Sequence, residues 1–97
     1  MLTIYKYPVL PSNFTIDLPV QSKVLTVQMQ GDSPQMWVLL DPSFPLVSHR
    51  FVVYGTGHEI KESQGTLSYV GTFQLAGGSL IFHLFQVIKP QTFARNC

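Results

Sequence analysis

Ninety-seven residues with a formal net charge of +1 make one small domain, long enough to bury a single core without disulfides. Hydrophobic residues make up 45% of the chain and charged residues only 11%, against a usual ~25% charged. Broad electrostatic capture of DNA or RNA is excluded, because Lys6, Lys23, Arg50, Lys61, Lys89 and Arg95 are scattered and form no basic run. So few charges also leave apolar surface to be covered, and a homodimer or higher homo-oligomer is expected.

The one cysteine, Cys97, has no intrachain partner, which fits a reducing compartment. The opening residues lack the charged-then-apolar layout of a secretory signal. No apolar stretch approaches the ~20 residues needed to span a bilayer. A cytoplasmic protein with no membrane partner is the expectation.

Along the chain the pattern is β throughout. Phe14 to Leu18 alternates apolar and polar, and so do Leu25, Val27 and Met29 with Thr26, Gln28 and Gln30. Gly31-Asp32-Ser33-Pro34 is a turn cluster, and Met36 to Leu40 is apolar on both faces. Asp41 to Pro45 holds two prolines and reads as a rigid loop. His49 to Tyr54 is the next strand, followed by a stretch carrying Glu59, Lys61 and Glu62. Leu67 to Leu75 is a strand whose Gly71 signals a bulge or a close backbone approach. Ala76-Gly77-Gly78-Ser79 marks a hairpin, and Leu80 to Ile88 is apolar on both faces, as a central strand would be. The fold expected is all-β, a small antiparallel sandwich or partly open barrel of about six or seven short strands. Residues 1–88 form the domain and residues 89–97 a C-terminal tail. The core is expected to contain Leu25, Val27, Met29, Val38, Val53, Phe73, Leu80, Phe82 and Leu84.

The most informative local feature is Gly55-Thr56-Gly57-His58, directly after Phe51-Val52-Val53-Tyr54. Such a loop either gathers backbone N–H groups around an anion, with His58 helping, or simply closes a β-turn. No helix follows it and the spacing is not that of a Rossmann or P-loop fingerprint. Arg50 lies one strand-length upstream and could approach from the side. His83, between Ile81 and Phe85 at strand spacing, is expected to be buried, neutral and tied to a backbone carbonyl or hydroxyl, with a pocket base or ligand contact as the other reading. Tyr5, Tyr7, Trp37 and Tyr69 carry polar tips that could line an interface or stack on a base, with a place in the core as the other reading for each. His49, His58 and His83 lack metal-ligand spacing, and no pair among Asp17, Asp32, Asp41, Glu59 and Glu62 has an apolar setting that would raise a carboxyl pKa. No catalytic residue, metal or cofactor is expected.

Thr3 to Pro8, Trp37, Gly55 to His58, Tyr69-Val70-Gly71-Thr72-Phe73-Gln74 and Phe82-His83-Leu84-Phe85, in this order and spacing, resemble a family of small uncharacterised proteins of tailed bacteriophages and prophages. The resemblance covers about residues 2–86. Where members often carry Trp-His this chain has Phe82-His83, and where they often close on an acid it has Gln86; members tend to stop there, so residues 87–97 look like an extension. What the resemblance implies is a phage gene product in a bacterial cytoplasm, and few charges with no catalytic set make it a non-catalytic accessory protein suited to binding. By analogy it would inhibit an antiviral defence by sequestering a host protein or a small nucleotide signal. A virion structural or assembly component is the alternative, and an enzyme ranks last.

Overall fold

Alternating apolar and polar side chains give this chain its strands, and a computed structural model describes them over residues 1–88. The expected tail, with Cys97, lies outside the described residues. The strands are β1 (Thr3–Pro8), β2 (Asn13–Pro19), β3 (Lys23–Gln30), β4 (Ser33–Leu40), β5 (Leu46–Gly55), β6 (Leu67–Leu75) and β7 (Leu80–Val87). They form two antiparallel sheets, one ordered β1-β4-β3 and the other β2-β5-β7-β6. The sheets face each other without closing into a barrel, so the all-β expectation holds as a sandwich. β7 is central, between β5 and β6, which is why it is apolar on both faces.

Both sheets feed one core. Val27, Met36, Val38 and Leu40 come from the three-stranded sheet, and Phe14, Leu18, Phe51, Phe73 and Leu84 from the four-stranded one. Phe14 and Phe51 stack with ring centroids 5.2 Å apart. Val53, Met29 and Phe82 are half-buried and pack against this cluster. Two expected core residues are not in it. The register of β3 shifts between Val24 and Thr26, so Leu25 is the extra residue of a bulge and stays 42% exposed, while Val24 packs inward. Leu80 keeps the inward parity of Phe82 and Leu84 but stands on the last rung of the β6–β7 hairpin, opposite Leu75, and is 49% exposed.

Both meanings of Gly71 apply. The β6 register shifts between Tyr69 and Gly71, and a Cβ on Gly71 would lie 2.7 Å from Val27 Cγ1. Glycine is what lets β6 approach β3 at this edge of the sandwich. At the opposite side, β1 and β2 are the outermost strands of their sheets. The connection from β5 to β6 crosses the outer face of the four-stranded sheet. Glu62 there accepts from Arg50 Nη2 at 2.7 Å and from the Tyr54 hydroxyl at 2.8 Å. Val52, on that outer face, is only 2% exposed. Burial first, then the carboxylate accepting its proton, holds the Tyr54 phenol above its ordinary value.

His49 sits opposite Ile16 on the inward side of β5. The Gln86 amide donates to its Nδ1 at 2.9 Å, and Nε2 is buried with no partner among the described residues. Burial therefore pushes its pKa below the ordinary 6.5.

Gly71→Ala should destabilise the protein by about 1–3 kcal/mol, because Val27 is β-branched and packed and cannot swing aside. Combined with Val27→Ala it should cost less than the sum of the two single changes, a coupling that denaturant unfolding of all four chains measures. The unfolded chain protonates His49 more readily than the folded one. Stability is therefore full above the ordinary value of 6.5 and falls as pH drops below it. The melting temperature should drop less between neutral pH and mildly acid pH in His49→Gln than in the wild type; equal slopes would remove His49 as the cause.

Candidate functional site

The Gly-Thr-Gly-His segment is a built turn, and each residue has a separate task. The His58 N–H donates to the Gly55 carbonyl at 3.1 Å, and Gly57 holds φ +85°, a conformation that favours glycine. Gly55 is glycine for another reason. A Cβ there would lie 2.7 Å from the His58 ring, so the imidazole rests over the bare α-carbon. Thr56 ties the turn to β7 twice. Its N–H donates to the Ile81 carbonyl at 3.2 Å, and its hydroxyl meets His83 Nε2 at 2.7 Å.

A relay of side chains continues from that contact across the sheet. His83 Nδ1 lies 2.9 Å from the Thr72 hydroxyl, which lies 2.6 Å from the Tyr69 hydroxyl. Both ring nitrogens of His83 meet hydroxyls that can donate or accept, so either neutral tautomer is satisfied. Tyr69 in turn sets its ring edge-on to Phe85, centroids 5.6 Å apart. The relay contains no carboxylate to stabilise an imidazolium, and its evident work is to hold the turn rigid. Two turn amides are spent within the protein, on Gly55 and Ile81, and so are not available to converge on an anion.

What the rigid turn borders is a mouth at one end of the sandwich, a cavity of about 580 Å³. Its walls are apolar: Val53, Phe73 and Phe82, from the three neighbouring strands β5, β6 and β7. Its rim carries Leu10 from the β1–β2 connection, Asp32 from the β3–β4 turn, and His58 and Glu59 from beyond β5. Two carboxylates against one histidine make this rim a poor host for a polyanion. The volume falls within the ~300–1,000 Å³ common for ligand sites.

Of the residues singled out in the sequence, Gly55, Thr56, Gly57, His58, His83 and Tyr69 are linked into this one assembly. Arg50 and Trp37 are elsewhere. Arg50 is five residues from Gly55, roughly 17 Å along an extended strand, and is committed to Glu62 and to Asn13 Oδ1 at 2.9 Å. Trp37 lies half-buried on the outer face of the three-stranded sheet, with Lys6 Nζ 5.9 Å from its ring centroid. Sequence reading did not find Leu10 or Asp32. The signal at Leu10 was an apolar residue before a proline in a connection, and nothing local could show that it shares a cavity rim with Asp32. Among the described residues, no three of His, Cys, Asp and Glu gather in a way that could hold a metal ion, and no helix is long and apolar enough to cross a membrane.

No curated protein and no solved structure matches this chain. A family model described as a domain of unknown function, DUF7352, matches residues 1–94. The matched span takes in residues 87–94, which the sequence set apart as an extension. With nearly its whole length inside that span, the chain belongs to the DUF7352 family.

Proposed function

We propose that this is a non-catalytic binding protein that takes an apolar side chain of a protein partner into the mouth of the sandwich. One observation carries this: an apolar cavity of about 580 Å³ lined by residues of both sheets and bordered by a turn that hydrogen bonds hold in place. A preformed pocket lowers the ordering cost of binding. The rim acids Asp32 and Glu59 favour a partner whose anchor residue is flanked by basic groups. They disfavour a nucleotide, whose phosphates they would repel, so of the two expected targets the host protein has the better support. The resemblance to small proteins of tailed phages and prophages gives the setting: a phage accessory protein in the host bacterial cytoplasm, inhibiting a defence factor by occupying it.

Leu10 is 48% exposed on the rim, so Leu10→Asp should fold normally while adding a charge to the apolar lip. Tagged wild-type and Leu10→Asp chains, produced in bacteria and purified alike, should differ at least about tenfold in the host protein they retain, as expected for loss of a central anchor contact. Gly55→Ala should displace the His58 ring and weaken retention with little change in melting temperature. Equal retention by all three chains would contradict the mouth as the site. A nucleotide released on denaturation, without a retained protein, would reverse the choice of target.

A further inference from the structure

Among the described residues no strand pairs with the outer edge of β1, and that edge has a chemistry distinct from the mouth. The Val9 N–H donates to the Pro34 carbonyl at 3.1 Å, which sets the phase of the β1–β4 ladder. Backbone groups alternate in direction along an antiparallel strand. Thr3, Tyr5 and Tyr7 therefore bond toward β4, opposite Leu40, Val38 and Met36, and the N–H and C=O groups of Ile4 and Lys6 point to the free edge. A lysine on an edge strand normally discourages further pairing. Here Lys6 leans over its own sheet in a single copy, above Trp37 and donating to Gln30 Oε1 at 2.6 Å, so its ammonium does not project beyond the edge although it stays within reach of a residue set opposite it. The strand is apolar on both sides, with Ile4 54% and Tyr5 46% exposed. The outermost strand of the other sheet, β2, instead carries the exposed Asp17 and ends on Pro19.

We propose that β1 pairs antiparallel with β1 of a second copy about a twofold axis at Tyr5, joining two three-stranded sheets into one of six strands. The chemistry selects a second copy as the occupant. A twofold axis normal to the sheet keeps each side chain on its own face, so residues of equal parity must meet. Centring on Tyr5 sets Ile4 opposite Lys6 of the second copy and Lys6 opposite its Ile4. Two hydrogen-bonded pairs form there, no like charges meet, and Pro8, which lacks an N–H, stays outside the ladder. Centring on Lys6 would oppose two ammonium groups. A ladder this short buries less than the ~1,200 Å² of a stable interface, so the dimer is weak and dissociates on dilution.

Sedimentation velocity of the full chain from about 1 μM to about 1 mM tests this, with a monomer at the low end and a dimer at the high end expected. Ile4→Pro removes only a donor that faces the free edge, so the chain should stay folded and monomeric throughout. Ile4→Glu sets a carboxylate against Lys6 in both symmetric pairs and should tighten the dimer, whereas Ile4→Lys should loosen it, each by about 2- to 30-fold. A wild type that stays monomeric overturns the proposal. So does a dimer whose strength is the same in the glutamate and lysine variants, because that would assign the contact to another surface.

Discussion

The close approach of β3 to β6 decides how this sandwich is open and closed. Two sheets of three and four strands cannot cover each other completely. The chain places Gly71, beside the bulge of β6, where Val27 needs the space of a side chain. Closing that side brings Val27, Phe73 and Leu84 into one cluster with Met36 and Val38. Among the described residues the opposite side, bounded by β1 and β2, has no equally close approach of two strands. On that side β1 is the terminal strand of the three-stranded sheet, and β2 that of the four-stranded one.

At the end of the sandwich a second constraint acts. The loop leaving β5 has to turn back over the outer face of its own sheet, where Glu62 is held by Arg50 and Tyr54. A loose connection would let the turn swing, but Thr56 fastens it to β7 through both its amide and its hydroxyl. The polar relay through His83 and Thr72 to Tyr69 thus has a packing consequence on the other face. It fixes the position of His58 beside the walls formed by Val53, Phe73 and Phe82. Exposed hydroxyl contacts of this kind contribute little stability singly; their value is that they select one geometry for the rim.

Much of this was legible in the residues because β-strands advertise themselves locally. Alternation in β2, two-sided apolarity in β4 and β7, and the glycine clusters at Gly31 and Ala76-Gly77-Gly78 each report a nearest-neighbour property. Gly71 was legible as a bulge or a close approach because both meanings remove a Cβ. Leu25 was misplaced because a bulge shifts parity without leaving a glycine behind. Leu80 was misplaced because parity tells the face of a strand and not how far the facing sheet extends. At the site, the turn was legible and the reason for Gly55 was not, since it depends on where a side chain three residues later comes to rest. The mouth was illegible for the same physical reason: its rim joins Leu10, Asp32 and His58, which meet only once two sheets have stacked.

The most direct measurement is the nuclear Overhauser effect between the Val27 methyl groups and the α-protons of Gly71 in the labelled protein. Close packing of β3 on β6 predicts a strong cross-peak, among the most intense between the two sheets. A missing cross-peak, with Val27 methyls instead near solvent or near the β1 tyrosines, would contradict the closure of β3 on β6.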